Sequence, residues 1–573
     1  MALFNFLSVT TCFALFGAAN ASPQTRVARQ ATPGLCTDGW FRGEAAAISK
    51  NKPGLTIDVL RVRKVAAGGS FGSGTATGDD PGNGQYLAAA GLPALCGVRF
   101  HVKDGTSNYD VGMLFPDVFQ DAMFTVGGES WGGGINWPAM KTGAKHGFAT
   151  VSTNNGHNST YDNTRWARGN KAAKEDWGFR AMDGAVVYGK DLVKRFYAKP
   201  FKSYYSGCST GGRQGLRQVM QRANSFDGLL IGAPAWDTVD ISPWVTRMSK
   251  VLLDNGGAWT EAEIRGLSRQ FIEQCDGQTP NDNATDGIIS DPAGCLKKFD
   301  RTKVYCSSGV ADCIRNDNGR AERILAAFLD PYTVSSAAAT PTFVSAGYDP
   351  GAEYSWYSWF GFQSVLTGFN GNYFRDFLGK GDAFTVQSYK DELVGESRLD
   401  GAGNASVPPF NMKDFKDNKG KIILYHGTAD GFLPRVMTEN WYNEVKRANP
   451  SDVDSFLRYF EVPGMGHCVK GANSTAPPYV PWVFGGYNHF ATAGDGYENP
   501  AFPGPLTPEI DALTALITWV DQPSKGPTSF TAASDKTDPK KQGKRWTRKI
   551  CQYPAKPRYT GTVIEDKESW TCS

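Results

Sequence analysis

The chain has 573 residues, of which 40% are hydrophobic and 12% aromatic, a composition typical of a folded globular protein rather than a disordered one. Its 60 Lys and Arg nearly balance 57 Asp and Glu, giving a net charge of +3. No charge block points to a nucleic-acid partner or to a cation buffer. The length exceeds that of one ordinary core, so we expect one large domain with an insertion, or two to three domains.

The first 22 residues, MALFNFLSVTTCFALFGAANAS, have the pattern of a secretory signal peptide. Residues 3–18 form its apolar core and residues 19–21 (Ala-Asn-Ala) a small-x-small cleavage site, so we predict a signal peptide over residues 1–21. A buried N-terminal helix is the alternative. No other stretch of the sequence approaches the roughly 20 uninterrupted apolar residues of a membrane span. We therefore expect a secreted, extracellular protein without a membrane partner.

Cysteine usage agrees with secretion. Of 11 cysteines, Cys12 lies in the predicted signal peptide, and the remaining ten are an even number, which in a secreted chain favours disulfides over free thiols or a metal site. None shows the C-x-x-C spacing of a zinc site. Proximity along the chain makes three pairs plausible: Cys275–Cys295, Cys306–Cys313 and Cys551–Cys572. N-glycosylation sequons occur at Asn158, Asn283, Asn404 and Asn473.

Two regions alternate strands and helices as an α/β fold does. In the first, we predict strands over residues 147–152, 201–206 and 226–233, with helices over 176–197 and 214–222. In the second, we predict strands over residues 421–425 and 456–462 and a helix over 510–520. These regions are expected to form one sheet.

Between residues 238 and 410 this alternation is lost, and the segment holds four cysteines, an Asp/Asn-rich loop and an aromatic run, YSWYSWF, at 354–360. We interpret residues 238–410 as a lid domain inserted into a catalytic domain formed by residues 22–237 and 411–573. Near the C-terminus, residues 536–549 (KTDPKKQGKRWTRK) are predicted to form a basic, solvated loop.

A nucleophile is indicated by SGCSTGG at residues 206–212, which fits the G-x-S-x-G elbow that exposes a reactive serine between a strand and a helix. A serine hydroxyl needs a base to take its proton and an acid to orient that base. In α/β-hydrolases these follow in the order Ser, Asp or Glu, His, each after a strand. Here Asp430 follows KIILY and His467 follows FLRYFEV. We predict the triad Ser209, Asp430 and His467.

Two neighbouring motifs have further assignments. His426, in the same HGTAD stretch as Asp430, is interpreted as holding a turn or lining the pocket. For the oxyanion we expect two backbone N–H donors: Thr210, which follows the nucleophile, and Gly127 or Gly128 in VGGESWGGG. A simple flexible turn is the alternative for that glycine-rich loop.

Cysteines flank both the nucleophile and the base. Cys208 precedes Ser209 and Cys468 follows His467. If Ser209 and His467 lie within hydrogen-bond reach, the Cα atoms of these cysteines can approach the ~5.5 Å separation of a disulfide. We therefore predict a Cys208–Cys468 bridge that fixes the histidine loop to the elbow.

With these motifs the chain resembles the tannase and feruloyl esterase family of secreted fungal and bacterial ester hydrolases. The resemblance rests on GCSTGGRQG (207–215), YHGTAD (425–430), GMGHC (464–468) and the closing segment 551–572 with its WTC, and it extends from about Cys36 to Cys572. It implies an α/β-hydrolase fold with a large lid domain inserted between the nucleophile and acid strands, the same triad and the same Cys208–Cys468 bridge. It also supports Cys36–Cys96 and the three local cysteine pairs.

The lid contains a candidate calcium loop, CDGQTPNDNATDGI, at residues 275–288. Closely spaced carboxylates followed by glycine suit a hard cation, since calcium takes six to eight oxygen ligands; a solvated turn is the alternative. Family members carry a structural Ca²⁺ in the lid at the corresponding stretch. Transferred to this sequence, its ligands are the side chains of Asp276, Asp282 and Asp286 and the carbonyls of Ala284 and Ile288. Extra residues between Asp276 and Asp282 depart from the family spacing.

The resulting hypothesis is a serine carboxylic ester hydrolase without an organic cofactor. Its expected substrates are aromatic, hydroxycinnamoyl esters such as feruloyl esters, including those attached to plant cell-wall polysaccharide. Lid aromatics between Tyr354 and Phe362 could stack on the phenolic acid, or form plain lid core. The alternatives are a tannase that hydrolyses gallate esters, a serine peptidase, and a non-catalytic protein with a hydrolase fold that binds phenolics or carbohydrate.

Overall fold

The computed structural model describes residues 29–30, 34–82, 84–306, 312–335, 342–353, 356, 371–468, 482–485, 506–534 and 546–573. The predicted signal peptide lies outside the described residues, as do residues 536–545 of the predicted basic loop. Of the aromatic residues between 354 and 362, Trp356 alone lies inside them.

Nine strands form the central sheet, in the order β15-β14-β9-β8-β6-β7-β4-β3-β2. The strands from β15 to β7 pair in parallel, and β7, β4, β3 and β2 pair antiparallel. The strands in chain order are β1 (Arg29–Gln30), β2 (Leu55–Val65), β3 (Leu95–Asp104), β4 (Ser107–Pro116), β5 (Val118–Phe119), β6 (Ala122–Val126), β7 (Ala149–Thr153), β8 (Lys202–Cys208), β9 (Gly228–Gly232), β10 (Tyr305–Cys306), β11 (Ile314–Arg315), β12 (Tyr332–Val334), β13 (Thr342–Ser345), β14 (Lys421–Gly427), β15 (Leu457–Val462), β16 (Trp482–Val483), β17 (Ser529–Ser534), β18 (Thr547–Cys551), β19 (Pro557–Tyr559) and β20 (Trp570–Cys572).

Helices cover both faces of this sheet. Helices α1, α4, α5 and α12 pack on one face, and α2 and α13 pack on the other. The α-helices are α1 (Asp38–Lys50), α2 (Trp137–Lys145), α3 (Lys171–Glu175), α4 (Ala181–Tyr197), α5 (Thr210–Gln221), α6 (Thr238–Asp254), α7 (Glu261–Cys275), α8 (Pro292–Lys298), α9 (Arg320–Leu329), α10 (Leu393–Asp400), α11 (Lys413–Asp417), α12 (Arg435–Ala448) and α13 (Ala512–Asp521). Short 3₁₀ turns occur at Arg165–Ala167, Arg301–Val304, Asp317–Gly319, Val386–Ser388, Gly401–Gly403, Val453–Ser455, Pro523–Lys525 and Lys567–Ser569.

The parallel strands β9 and β14 were predictable because they are apolar runs rather than alternating ones. Every residue of β9 (GLLIG) and β14 (KIILYHG) is buried, since helices cover both faces. The outer strand β2 instead begins with an alternation of buried and exposed residues. The predicted strands and helices of both α/β regions are present, with α5 starting four residues earlier than expected and the 176–197 helix interrupted at its start by a π-helical turn, Asp176–Arg180.

The predicted lid has a hydrophobic cluster of its own, made of buried residues between Trp244 and Val394. It is fixed to the loop that follows β14. The Tyr348 hydroxyl lies 3.3 Å from the Phe432 carbonyl oxygen, and Asp349 forms a buried ion pair with Arg435 of α12, at 2.6 Å. The lid is therefore packed against the region in which Asp430 lies. Among the helices in the described part of the chain, none combines the length and apolar content that crossing a bilayer requires.

One expectation about the C-terminal region was wrong. Arg548, placed in a solvated loop by its basic neighbours, lies in β18 and is 1% exposed. Its guanidinium pairs with Asp286 of the lid and lies 3.9 Å from the ring centroid of Trp570 and 5.4 Å from that of Trp482. A carboxylate and two aromatic faces therefore replace the water that the sequence pattern suggested.

All five expected disulfides are present in the structure: Cys36–Cys96, Cys208–Cys468, Cys275–Cys295, Cys306–Cys313 and Cys551–Cys572.

Candidate active site

Ser209 lies on a sharp turn between β8 and α5, with φ 58° and ψ −123°. This strained backbone is held by the chain after β9, because the Ser209 N–H donates to the Gly232 carbonyl (3.1 Å) and the Ser209 carbonyl accepts from the Ala235 N–H (3.0 Å). The flanking glycines are required by close approach: a Cβ at Gly207 would lie 2.6 Å from the backbone carbon of Gly211. The elbow therefore has the geometry that the motif predicts.

Asp430 and His467 form a buried acid–base pair. His467 Nδ1 lies 2.7 Å from Asp430 Oδ2, and the other carboxylate oxygen, Oδ1, accepts from the N–H groups of Phe432 and Leu433, both at 2.9 Å. Burial alone would raise the pKa of Asp430, but the charge and hydrogen bond of His467, together with a hydrogen bond from His426, hold that pKa well below its usual range. Asp430 is therefore an ionised acceptor that orients the imidazole of His467.

The loops after β14 and β15 are joined to each other and to the elbow. The Ala429 N–H donates to the Met465 carbonyl and the Gly464 N–H donates to Thr428 Oγ1, both at 2.9 Å. The Cys208–Cys468 disulfide, with its Cα atoms 5.8 Å apart, links the residue before Ser209 to the residue after His467. Backbone hydrogen bonds thus position the acid relative to the base, and a covalent bond positions the base loop relative to the nucleophile.

Ser209 opens into a narrow cleft that is partly open to solvent. Its walls are mostly apolar and carry no Asp, Glu, Lys or Arg within the part of the chain that the structure describes. The lining residues are Ser130, Trp131, Trp177, Ser209, Thr210, Ala235, Thr238, Ile241, Ser242, Val245, Phe432 and Leu433. The side of the cleft formed by α6 comes from the predicted lid, so the two parts of the chain build the cleft together.

Aromatic side chains outside the 354–362 run line this cleft. Trp131 and Trp177 stack with ring centroids 4.8 Å apart, and Phe432 meets the His467 ring edge-on at 5.3 Å. Trp177 lies in the π-helical turn Asp176–Arg180, a distortion that often occurs at functional sites. Trp356, the described member of the predicted run, is instead fully buried in the lid core. Adjacency to VGGES and HGTAD is the signal that could have indicated Trp131 and Phe432.

The backbone N–H groups of the two glycines expected to stabilise the oxyanion already donate to acceptors within the protein, so that expectation was wrong. The Gly127 N–H donates to the Ser206 carbonyl at 3.2 Å, and the Gly128 N–H donates to Gln214 Oε1 at 2.9 Å. Neither hydrogen is free to point at a substrate. The N–H groups of Thr210 and Ser130, which line the cleft, donate to no acceptor among the residues described here.

Comparison with known proteins places most of the chain in one family. The sequence profile described as "Tannase and feruloyl esterase" matches residues 100–372 and 383–573. The chain belongs to the tannase and feruloyl esterase family. It is therefore a carboxylic ester hydrolase with an α/β-hydrolase fold, as the motifs predicted, and neither a peptidase nor a non-catalytic binding protein.

Individual members of the tannase and feruloyl esterase family resemble this chain over most of its length. A probable feruloyl esterase B-1 from Aspergillus oryzae is 27% identical over 494 residues, covering 84% of each chain. The crystal structure of feruloyl esterase B from A. oryzae superposes with a TM-score of 0.75 at 25% identity, covering 93% of this chain and 100% of that one. Tannin acyl hydrolase from Aspergillus niger, at 18% identity and a TM-score of 0.68, covers 95% of this chain and 96% of its own.

In this family member, His426 neither lines the cleft nor forms part of a surface turn. It lies at the end of β14, is fully buried, and contacts Asp430 from the side away from the solvent. Of the two interpretations of His426 from sequence, the pocket-lining role is wrong, and the turn-holding role agrees with its contacts to Asp430 and to the Leu433 carbonyl in the loop after β14.

The candidate calcium loop brings three carboxylates near one another. Asp276 accepts from the N–H groups of Asp286 (3.2 Å) and Gly287 (2.8 Å), and Asp282 Oδ2 accepts from the Ser290 N–H (2.8 Å). Asp282 Oδ1 is buried and has no hydrogen-bond partner among the described atoms. Burial and the neighbouring acidic charges raise the pKa of Asp276 to about 6 and that of Asp282 to about 7.

The chemistry of these carboxylates suits a bound cation. A nearby positive charge would satisfy the unpartnered buried oxygen and reduce the repulsion between the carboxylates. Arg548 supplies part of that charge to Asp286. Over the described ranges, however, no three Asp, Glu, His or Cys side chains converge as a metal-binding group. The loop as described is thus an acidic cluster with one unpartnered buried carboxylate oxygen.

Proposed function

We propose that this esterase hydrolyses hydroxycinnamoyl esters, feruloyl esters above all, through an acyl-enzyme on Ser209. The observation that carries the proposal is the alignment of a strained serine elbow with the Asp430–His467 pair beside an uncharged, aromatic-walled cleft. The names of its relatives, feruloyl esterase B among them, support the same substrate class.

The proposed reaction uses His467 as a proton carrier. His467 Nε2 takes the proton of the Ser209 hydroxyl as its oxygen attacks the ester carbonyl, and then gives that proton to the departing alcohol. A water molecule releases the aromatic acid by the same route. Asp430 keeps the Nδ1 hydrogen in place and stabilises the charged imidazolium in both steps.

Two backbone N–H groups are proposed to hold the oxyanion: Thr210, as the motif suggests, and Ser130 in place of Gly127 or Gly128. Thr210 stands at the first turn of α5, where N–H groups have no partner inside the helix. Ser130 has φ 53°, and its carbonyl accepts from the Thr210 hydroxyl at 2.9 Å, which ties the two donor residues to each other. Preorganised donors of this kind stabilise developing charge without moving during the reaction.

The cleft favours a feruloyl group over a galloyl group. Its hydroxyls apart from Ser209 already donate to backbone carbonyls: Ser130 to Tyr161, Thr210 to Ser130, Thr238 to Ala235 and Ser242 to Thr238. These hydroxyls can still accept a hydrogen bond, but they are the few side-chain acceptors on otherwise apolar walls, so three phenolic hydroxyls of a galloyl ring are harder to satisfy there, and a buried polar group without a partner is costly. A feruloyl ring buries one hydroxyl and one methoxy group, which suits the mostly apolar, aromatic walls of the cleft.

A comparison of methyl ferulate with methyl gallate tests the substrate proposal. We expect kcat/KM for methyl ferulate to exceed that for methyl gallate by at least about 10-fold, the lower bound of what one unmatched pocket contact discriminates. Methyl cinnamate, with no ring substituent, reports the stacking contribution alone. The Ser209→Ala enzyme in the same panel excludes a contaminating esterase. A profile restricted to gallate would overturn the feruloyl assignment and favour a tannase.

Secretion and binding of Ca²⁺ belong to the same proposal. The five disulfides support an oxidising, extracellular destination, in agreement with the leader-like sequence at residues 1–21. The ester is expected free or as part of plant cell-wall polysaccharide. In the lid, Ca²⁺ would be held by Asp276, Asp282 and Asp286 with the carbonyls of Ala284 and Ile288. Its role would be to neutralise these carboxylates, away from the ester.

Chelation should therefore destabilise the protein in a pH-dependent way. Without metal, the raised pKa values of Asp276 and Asp282 mean that the folded state binds protons more tightly than the unfolded state. That stabilisation is present below the unfolded value of about 3.9 and is lost as the pH rises through about 6 to 7. Calcium prefers the ionised carboxylates, so its contribution grows over the same range.

The measurement is a melting curve in excess CaCl₂ and in EDTA. We expect the two melting temperatures to lie close together near pH 5 and to differ by several degrees near pH 7.5. Asp282→Asn should remove the difference, whereas Asp317→Asn, at an exposed position of the lid, should leave it unchanged. Equal melting temperatures at both pH values would count against a calcium site.

A further inference from the structure

A second histidine shares the carboxylate of Asp430. His426 Nε2 lies 3.0 Å from Asp430 Oδ2, the same oxygen that lies 2.7 Å from His467 Nδ1. His426 Nε2 also lies 3.1 Å from the Leu433 carbonyl oxygen, and its Nδ1 lies 2.9 Å from Thr438 Oγ1. The side chains of His426 and Asp430 are at most 1% exposed, so these contacts are shielded from bulk solvent.

The partners of His426 fix its tautomer. An ionised carboxylate and a backbone carbonyl can only accept hydrogen bonds, so Nε2 must carry a hydrogen that it shares between Asp430 and Leu433. In a neutral ring Nδ1 is then the acceptor, and the Thr438 hydroxyl donates to it. The result is a directional chain of hydrogen bonds from Thr438 to His426 to Asp430, which meets the bond from His467 at Oδ2.

We propose that His426 is a positioning residue of the ester hydrolysis, which keeps Asp430 ionised and its Oδ2 directed at His467 throughout the cycle. The inference rests on the proposed Ser209–His467–Asp430 mechanism. His426 is not among the residues that line the cleft, so it acts through Asp430 and through Leu433, whose carbonyl it also bonds.

The hydrogen bonds around Asp430 explain how His426 can fix its position. With His426 in place, the two oxygens of Asp430 accept from four N–H groups, two from the backbone and two from imidazoles. A carboxylate so fully bonded cannot rotate without breaking several hydrogen bonds, and part of its charge is taken up by His426. Removing the His426 donor leaves Oδ2 free to pull harder on the His467 proton, and removes the restraint on its direction.

Other charged and titratable groups surround this pair but bond elsewhere. On β15, Glu461 is paired in register with His426 and binds Arg435 of α12, which also holds Glu439 and the lid residue Asp349. Lys556 lies 3.7 Å from Glu461, and the Tyr348 hydroxyl donates to the Phe432 carbonyl. These groups pair mainly with one another, so a change at His426 should be reported mainly by Asp430 and His467.

The test compares His426→Leu, which has no donor, with His426→Gln, whose amide can donate from nearly the position of Nε2. For His426→Leu we expect kcat/KM on methyl ferulate to fall by about 30-fold or more. We also expect the midpoint of the ascending limb of its kcat/KM–pH profile to move up by about half a pH unit to one pH unit. His426→Gln should retain the wild-type limb and most of the rate. Val445→Ala, a buried change on α12 without contact to His426, calibrates the effect of lost stability alone.

A purely structural role predicts something else. The proposal is overturned if His426→Leu keeps the wild-type limb and loses no more rate than Val445→Ala does at equal loss of melting temperature. If His426→Leu does not fold, Thr438→Val decides, because it removes the partner of Nδ1: a limb displaced from wild type supports the proposal, and an unmoved limb refutes it. An active Ser209→Ala enzyme would instead refute the underlying mechanism, whatever the His426 variants show.

Discussion

Ser209→Ala should reduce kcat on methyl ferulate by at least about 10⁴-fold, the loss expected when the nucleophile of such a triad is removed and only binding and oxyanion stabilisation remain. The fold should be unaffected, because the structure gives the Ser209 hydroxyl no hydrogen bond to another described side chain and alanine can occupy the same turn. The turnover number, the melting temperature and covalent labelling by a serine-directed phosphonate measure these three expectations.

Ser206→Ala is the matched control for this variant. Ser206 is also a buried serine of β8, three residues earlier, and its side chain lies outside the cleft. It should keep wild-type turnover and phosphonate labelling at Ser209. A Ser209→Ala preparation that retains more than a trace of activity, with no wild-type enzyme detectable by mass spectrometry, would show that Ser209 is not the nucleophile.

Asp430→Asn should reduce kcat by about 10³–10⁴-fold with little change in KM. The amide keeps the shape of the carboxylate but offers one acceptor oxygen where Asp430 accepts four hydrogen bonds. With that oxygen bonded to the backbone N–H groups of Phe432 and Leu433, the NH₂ group faces two imidazoles. His467 must then present Nδ1 as an acceptor, which leaves its hydrogen on Nε2 and removes the base.

Stability should fall as well, by about 1–3 kcal/mol, because the histidines lose a buried charged acceptor. The kinetic loss is much larger than this, so kcat measured well below the melting temperature separates the two effects. Asp452→Asn, an equally conservative change at a partly exposed ion pair with Lys416, should alter neither quantity appreciably. An Asp430→Asn enzyme within 10-fold of wild type would mean that another group orients His467.

The sequence was most informative where residues with catalytic chemistry follow predicted strands in the order that the fold requires. Buried parallel strands such as β9 and β14 are unbroken apolar runs, and the loops after them carry Ser209, Asp430 and His467 in the order of an α/β-hydrolase. The elbow, the acid–base pair and the Cys208–Cys468 bridge could therefore be placed without coordinates. The division into catalytic domain and lid follows the same logic and stays a prediction.

What sequence could not supply is the partner of each polar group. The N–H groups of Gly127 and Gly128 are oriented away from a substrate because Ser206 and Gln214 accept them, and neither contact has a sequence signature. Arg548 seemed solvated among basic neighbours until Asp286 and two tryptophans proved to surround it. For His426 the sequence left a turn-holding and a pocket-lining role open, and only the packing of β14 against the Asp430 loop shows that its ring bonds to the carboxylate.

The Cys208–Cys468 disulfide has a topological consequence. It spans 260 residues of sequence, so β9, the whole of the predicted lid, β14 and Asp430 belong to one covalent ring that closes beside Ser209. A single proteolytic cut between Ser209 and Asp430 would leave two fragments, one carrying the nucleophile and the other the acid and the base, still linked at the reaction centre. The enzyme is thus built so that a nick in the lid does not by itself divide the active site.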